Sequence, residues 1–384
     1  MSERPPPAES WAVILAGGIG SRFWPASTPD RPKQLLPFDS GRPLICGAWE
    51  RAMAVSGPGR VRILAPEGLV EGLLRALPEA DEDVIWIETE LKGTAPALAR
   101  AAWEIEALEP GALMTSLHAD HAIGPMREFE RTIAVALGLA AREPTLVCVA
   151  APPSRAETGY GYVEPGAELP TDTGLPTVPD RVAVPNPPGV AVGSGADRSS
   201  DAREERKPAA FKVASFHEKP DRETARRYCD AGFLWNTGIF VWRASTFLEE
   251  TRMRAPEIGR LLDGLERDGP PSFFKESPSA VVDRAILERS DRVSAVRASF
   301  DWDDVGSWEA LARQGSADDC GNSLHGPVRV LAGRDNIVFA EGGRVVVHGI
   351  DDAIIVRTDK VTLVLGRDRS DELRSVLESI GESS

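Results

Sequence analysis

Three groups of residues have types and spacings suited to chemistry on an anion. The first is Gly17-Gly18-Ile19-Gly20-Ser21-Arg22, directly behind the uncharged run WAVILA at 11–16. Glycines lack a Cβ and accept positive φ, so consecutive backbone N–H groups can turn towards a phosphate. Arg22, Arg31 and Lys33 follow closely in a chain whose net charge is −15, so positive charge gathers where such a loop could hold a polyphosphate. The second group is Asp120 in His118-Ala119-Asp120-His121, directly behind the apolar run 112–117. An isolated Asp in such a place is most often a turn residue. The third is Asp301-Trp302-Asp303-Asp304-Val305-Gly306-Ser307-Trp308, with its carboxylates beside a glycine and between tryptophans. Two other glycine loops are excluded. A dinucleotide fingerprint would need glycine where Phe23 stands, and G-x-x-x-x-G-K-[ST] has no match in this stretch.

The elements that must position these residues read as alternating helix and strand. Strands are predicted at 61–65, 84–87, 112–117 and 145–150, and helices at 43–55, 67–77, 94–108 and 127–141. Such alternation predicts a parallel α/β sheet whose loops gather ligands at the C-terminal strand ends. Residues 166–208 are rich in Pro, Gly, Ser, Asp and Arg with few large apolar side chains, and read as a disordered insertion. Strand character returns at 211–217 and 238–242, with a helix at 221–230. From about residue 326 short β-rich runs follow, at 328–331, 336–339, 344–348, 353–357 and 361–365.

Composition excludes several classes. At 384 residues and 42% hydrophobic, the chain can bury a full core. No apolar run is long enough to span a membrane and the N-terminus has no signal-like core, so a cytoplasmic protein without membrane association is expected. A pI near 5.0 argues against nucleic acid as a partner. Cys46, Cys148, Cys229 and Cys320 are far apart and read as buried thiols.

The run LAGGIGSRFWPASTPDRPKQLLPF resembles the signature of the sugar nucleotidyltransferases. Phe23-Trp24-Pro25 and Pro32-Lys33-Gln34 are similar to the mannose-1-phosphate guanylyltransferase branch. Gly93-Thr94-Ala95-Pro96, Glu157-Thr158-Gly159-Tyr160-Gly161-Tyr162, Phe216-His217-Glu218-Lys219-Pro220 and Trp235-Asn236-Thr237-Gly238 resemble further motifs of that family in order. The resemblance implies a Rossmann-like nucleotidyltransferase domain with a mixed, mainly parallel sheet over 1–320. It implies a small left-handed β-helix-like domain over 321–384, closed by a helix at 369–380, without room for the isomerase domain of some bifunctional relatives.

The same resemblance implies transfer of GMP from GTP to α-D-mannose 1-phosphate, giving GDP-mannose and pyrophosphate. It assigns Arg22, Lys33, Asp120 and Asp304 to catalysis, with Asp120 and Asp304 holding Mg²⁺. It assigns the nucleotide to Leu15, Ala16, Gly17, Gly18, Gly20, Ser21, Thr94 and Ala95, and the sugar phosphate to Gly159, Glu218, Lys219 and Asn236. Asp301 and Asp303 read as solvated or capping groups. Another base or sugar on the same scaffold, a regulatory nucleotide-binding subunit and a homodimer remain open alternatives.

Overall fold

The computed structural model describes residues 10–18, 20–37, 41–171 and 208–379. Eleven strands precede the C-terminal region: β1 (Ser10–Leu15), β2 (Val61–Ala65), β3 (Ile85–Ile87), β4 (Leu113–His118), β5 (Ala122–Gly124), β6 (Leu146–Ala151), β7 (Gly161–Leu169), β8 (Ala210–Glu218), β9 (Leu234–Arg243), β10 (Val293–Arg297) and β11 (Asp301–Asp303). Nine of them form one sheet in the order β3-β2-β1-β4-β9-β6-β10-β8-β7. β8 and β9 run against the other members, so the sheet is mixed but mainly parallel in strand direction.

β1 shows why apolar runs without alternation belong in the middle of such a sheet. Trp11, Val13 and Leu15 join one core cluster, and Ala12 and Ile14 join the cluster on the opposite face. The helix Thr94–Leu108 covers the first face, burying Leu98, Ala101, Ala102 and Ile105. Leu44–Ser56 and Met126–Arg142 cover the second. Further helices between residues 244 and 289, which the sequence analysis leaves unassigned, complete the first face.

Two expectations change. Residues 166–169 are not part of an insertion but the end of β7, with Glu168 opposite Phe211 and Leu169 opposite Ala210. A ladder of backbone hydrogen bonds needs no apolar side chains, so composition misses it. Residues 172–207, most of the rest of the expected insertion, lie outside the described residues. The strand expected at 238–242 is the longer, antiparallel β9, paired with both β4 and β6.

Beyond the main sheet lie β12 (Ser323–His325), β13 (Val328–Ala332), β14 (Ile337–Ala340), β15 (Val345–His348), β16 (Ala353–Arg357) and β17 (Thr362–Gly366). β12, β14 and β16 pair in parallel, as do β13 and β15, and β17 closes the first set antiparallel. Asn336 ties successive layers: its Nδ2 donates to Asn322 Oδ1 at 3.0 Å, and its Oδ1 accepts from Ala353 N–H at 3.1 Å. Ile337, Phe339, Ile354 and Val356 join a cluster with Phe23 and Trp308, so this unit packs behind the glycine loop. The helix expected at 369–380 begins as a 3-10 turn, Arg367–Glu372, and continues as Leu373–Ser379; residue 380 lies outside the described residues.

Candidate active site

The loop after β1 is held from below by the residues that follow it. Gln34, buried, donates from Nε2 to Ala16 O at 2.8 Å, and Ser27 Oγ donates to Gly20 O at 2.7 Å. Gly20 has φ +70°, and a Cβ there would lie 2.5 Å from Lys33 Cβ, so only glycine fits. Gly18 faces open space, and Ser21 starts a 3-10 turn through Phe23. Arg22 on that turn is exposed, and its guanidinium has no partner among the described residues. Arg31 differs, because it is paired with Glu341 at 2.6 Å.

Lys33 departs from the sequence expectation. It is 4% exposed, and its Nζ donates to Asp304 O and Val305 O at 2.9 Å each and pairs with Asp120 Oδ2 at 2.6 Å. An ammonium group has three donors, so all are engaged within the protein. Lys33 therefore joins the Asp120 and Asp304 loops rather than reaching for a phosphate. Burial alone would raise the Asp120 carboxyl, but Lys33, with His121 and His118, holds it well below the usual carboxylate range.

The short antiparallel pair β5–β11 aligns these loops, with Asp303 opposite Ala122 and Asp301 opposite Gly124. Asp304 Oδ1 accepts from Tyr160 Oη at 2.7 Å and from Gly306 N–H at 3.0 Å. A Cβ on Gly306 would meet Asp304 Oδ2 at 2.6 Å, so glycine is what lets that side chain fold back. Asp304 Oδ2 and Asp120 Oδ1 make no hydrogen bond to a described residue. One free carboxylate oxygen on each loop fits a hard divalent cation that completes its shell with phosphate and water. Asp303 is a capping group: its Oδ1 accepts from Val305 N–H and its Oδ2 from Arg313, while Asp301 is exposed.

His118 and His121 stack 4.5 Å apart beside Asp120, and the three side chains could in principle share a metal. Trp302 Nε1, a donor only, bonds His121 Nδ1 at 3.2 Å, which leaves the His121 proton on Nε2. Burial keeps both imidazoles below their ordinary pKa, so they are neutral near pH 7. His121 thus buttresses the Asp120 loop, and Mg²⁺ would draw on oxygen.

Between the glycine loop and the start of the helix Thr94–Leu108 lies a cavity of about 270 Å³. Leu15, Ala16, Gly17 and Gly18 of the loop, Thr94 and Ala97 of the helix, and His118 and Asp120 all line it. Thr94 does not cap its helix; its Oγ1 accepts from Val282 N–H at 2.9 Å. Ala95 is fully buried, its N–H on Ala280 O at 3.1 Å, so Ala97 stands at the wall where Ala95 was expected. Glu88, missed by sequence reasoning, also lines this cavity.

The expected sugar residues gather around Gly161 rather than Gly159. A Cβ at Gly161 would meet Glu218 Oε2 at 2.8 Å and Asn236 Cβ at 3.4 Å. Gly159 is exposed and donates its N–H to Glu157 at 3.2 Å. Lys219 pairs with Glu218 at 2.7 Å, with its side chain 57% exposed and so free to turn to an incoming anion. Asn236 Nδ2 donates to Asp283 Oδ1 at 2.6 Å, while its Oδ1 accepts from Cys148 Sγ and Gly238 N–H at 3.1 Å each. Burial, with Glu218 nearby, pushes the Asp283 carboxyl up to about 6. Cys320 is exposed and Cys229 half-buried, against the expectation of buried thiols, whereas Cys46 and Cys148 conform.

Tyr160 is a second missed residue, although it sits inside a motif that the sequence analysis quotes. Its phenol is pushed up by burial and by the carboxylates of Asp304 and Asp303, so it remains a donor to Asp304. Tyr160→Phe is expected to lower kcat about tenfold or more, the usual cost of removing an outer hydrogen bond to a ligand. It should also raise the Mg²⁺ concentration needed for half-maximal rate. An unchanged Mg²⁺ dependence would show that the phenol does not position Asp304 for metal.

The chain and its fold match known proteins. A family model described as "Nucleotidyl transferase" matches residues 11–176 and 201–319. The chain belongs to the nucleotidyl transferase family. It is 31% identical to the "Xanthan biosynthesis protein XanB" of Xanthomonas campestris, over 96% of this chain and 72% of that one. Likewise it is 31% identical to a "Mannose-1-phosphate guanylyltransferase" of Escherichia coli, over 96% and 73%. Among solved structures, a Thermus thermophilus protein described as a mannose-1-phosphate geranyltransferase superposes with a TM-score of 0.80 at 26% identity, covering 97% of this chain and 99% of that one. No helix among the described residues is long and apolar enough to cross a membrane.

Proposed function

We propose that the chain transfers GMP from GTP to α-D-mannose 1-phosphate, releasing pyrophosphate. The observation that carries this reading is the juxtaposition of a free Arg22 on the glycine loop with the Asp120 and Asp304 loops joined through Lys33. A sugar-phosphate oxygen attacks the α-phosphorus and pyrophosphate leaves in line, so the protein's work is positioning and charge stabilisation. The backbone of Gly17, Gly18 and Gly20 with Ser21 borders the triphosphate, and Arg22 balances charge on the leaving pyrophosphate. Glu218 and Asn236 accept or donate to sugar hydroxyls, and Lys219 leaves Glu218 for the sugar phosphate. Asp120 and Asp304 would hold Mg²⁺, which when bound supplies Lewis acidity and a template for both substrates. The catalytic machinery is assigned to residues 1–320 and the reaction to the cytoplasm.

Pyrophosphate release measured over a matrix of GTP, ATP, UTP and dTTP against several sugar 1-phosphates tests this function. The highest kcat/KM is expected for GTP with mannose 1-phosphate, and a clear preference for another pair overturns it. Asp304→Asn is expected to lower kcat by at least about tenfold, the lower bound for disturbing a ligand shell. Unaltered turnover with an unaltered Mg²⁺ requirement would remove Asp304 from the metal's coordination.

A further inference from the structure

Resting on the guanylyltransferase reading, we infer that His118 is a further catalytic residue, whose ring N–H donates a hydrogen bond to a non-bridging oxygen of the α-phosphoryl group under attack. His118 is the last residue of β4 and pairs with Leu15, the last of β1. Side chains alternate along a strand, so His118 shares a face with Met114, which lies in the cluster that the helix Thr94–Leu108 covers. At the strand end on that face lies the cavity of about 270 Å³, and His118 lines it together with Gly17, Gly18 and Asp120.

The same ring reaches the sugar side. A Cβ on Gly238, in the segment Trp235-Asn236-Thr237-Gly238, would lie 2.6 Å from His118 Nε2 and 2.9 Å from its Cδ2. Only a residue without a Cβ leaves room for the imidazole there, and φ at Gly238 is +71°. Gly238 in turn donates its N–H to Asn236 Oδ1 at 3.1 Å, so one residue separates the ring from a side chain assigned to sugar hydroxyls. A ring nitrogen also comes within 4.8 Å of an Asp120 carboxylate oxygen. His118 thus stands where the nucleotide cavity, the Asp120 loop and the sugar segment meet. The α-phosphoryl group is the part of the substrates that must occupy such a junction, since it belongs to GTP before the reaction and to the sugar nucleotide after it.

The imidazole has a hydrogen bond to give. Its face is stacked on His121 at 4.5 Å, but neither ring nitrogen bonds a described residue. At least one nitrogen of a histidine carries a proton in either charge state, so a donor is always present. A hydrogen bond to a charged phosphoryl oxygen is stronger than one between neutral groups. Stacking holds the ring in place before substrate arrives, which is the condition for a donor to stabilise charge that develops in the transition state. The proton stays on the ring, and no bond to nitrogen is made or broken.

The test is steady-state kinetics of the full chain at saturating mannose 1-phosphate, with GTP and with the two diastereomers of GTPαS, in which sulfur replaces one or the other non-bridging α-oxygen. His118→Phe keeps a ring to stack on His121 but loses the N–H. Its kcat for GTP is expected to fall about 10–100-fold, the worth of a hydrogen bond to a charged group, with the KM for GTP nearly unchanged. One diastereomer should be penalised more in the wild type than in His118→Phe, because sulfur accepts hydrogen bonds poorly and the variant has none to lose. Any penalty that sulfur imposes through a metal is common to both enzymes and cancels in that comparison. A wild type that does not turn over GTP with mannose 1-phosphate refutes the guanylyltransferase reading. Wild-type kcat in His118→Phe refutes the His118 inference alone. So does a loss accompanied by equal sulfur penalties in both enzymes for both diastereomers, the result that a purely structural ring predicts. If His118→Phe does not fold, the smaller His118→Leu takes its place in the same comparison.

Discussion

Arg22→Ala is expected to lower kcat about 10²–10³-fold, the loss typical of removing one preorganised donor to a transition state. The melting temperature should hardly move, because exposed substitutions away from special contacts stay within about 0.5 kcal/mol. Arg22 is exposed and unpaired among the described residues, so folding gains little from it. Its guanidinium can instead grip two phosphate oxygens at once. Lysine at position 22 should therefore restore only part of the rate, since a point charge lacks that planar fork. Arg31→Ala should be much milder, because Arg31 is already occupied by Glu341. A near-normal kcat for Arg22→Ala, or a larger loss for Arg31→Ala, would place the triphosphate elsewhere.

Lys33→Met should behave in the opposite way and cost stability first. The substitution leaves Asp120 without its counter-ion and strips the Asp304 and Val305 carbonyls of their donor. Breaking a buried ion pair by removing one partner costs about 3–5 kcal/mol. The loss should depend on pH. In the wild type Lys33 depresses the Asp120 carboxyl, so that pairing stabilises the fold above the ordinary carboxylate range and is lost only as pH falls below that range towards the depressed value. In the variant the unpaired, desolvated Asp120 can escape its penalty by protonating above the ordinary carboxylate value, so the stability gap should narrow as pH falls from neutral towards about 4. Denaturant midpoints for both proteins across pH 3.5–7 would show this. A variant of wild-type stability and reduced kcat would return Lys33 to the phosphate.

These contrasting expectations for two neighbouring basic residues show what local sequence can and cannot convey. Charge beside glycines was legible; which charge is desolvated was not, because Asp120, Asp304 and Val305 reach Lys33 from distant parts of the chain. The helix Thr94–Leu108 was legible to its ends because it is a long apolar segment with good helix formers and a glycine before it, although its first two turns, Ala95–Ala102, are buried all round. β5 and β11, three residues each, are too short to leave a period, yet they bring the two acidic loops into line. Asp120 and Asp304 were paired only through the resemblance of their motifs. Glu88 gave no motif signal and was missed, because nothing in its local sequence separates it from a solvated acid. Strand direction has no local signature either, which is why β9 was foreseen as a strand but not as an antiparallel one.

The position of β9 also bears on how the chain is made. β4 lacks one neighbour until Leu234–Arg243 has been synthesised, more than a hundred residues later, and β6 waits for the same strand. During that interval β4 carries an open row of backbone donors and acceptors flanked by apolar side chains, a template for unwanted pairing. Contacts so distant in sequence close slowly. Synthesis in the cell should therefore show an early collapse of the β1–β4 layer, followed by a late, cooperative step as β9 inserts between β4 and β6. Chains truncated before residue 234 should be the ones that associate with chaperones or precipitate.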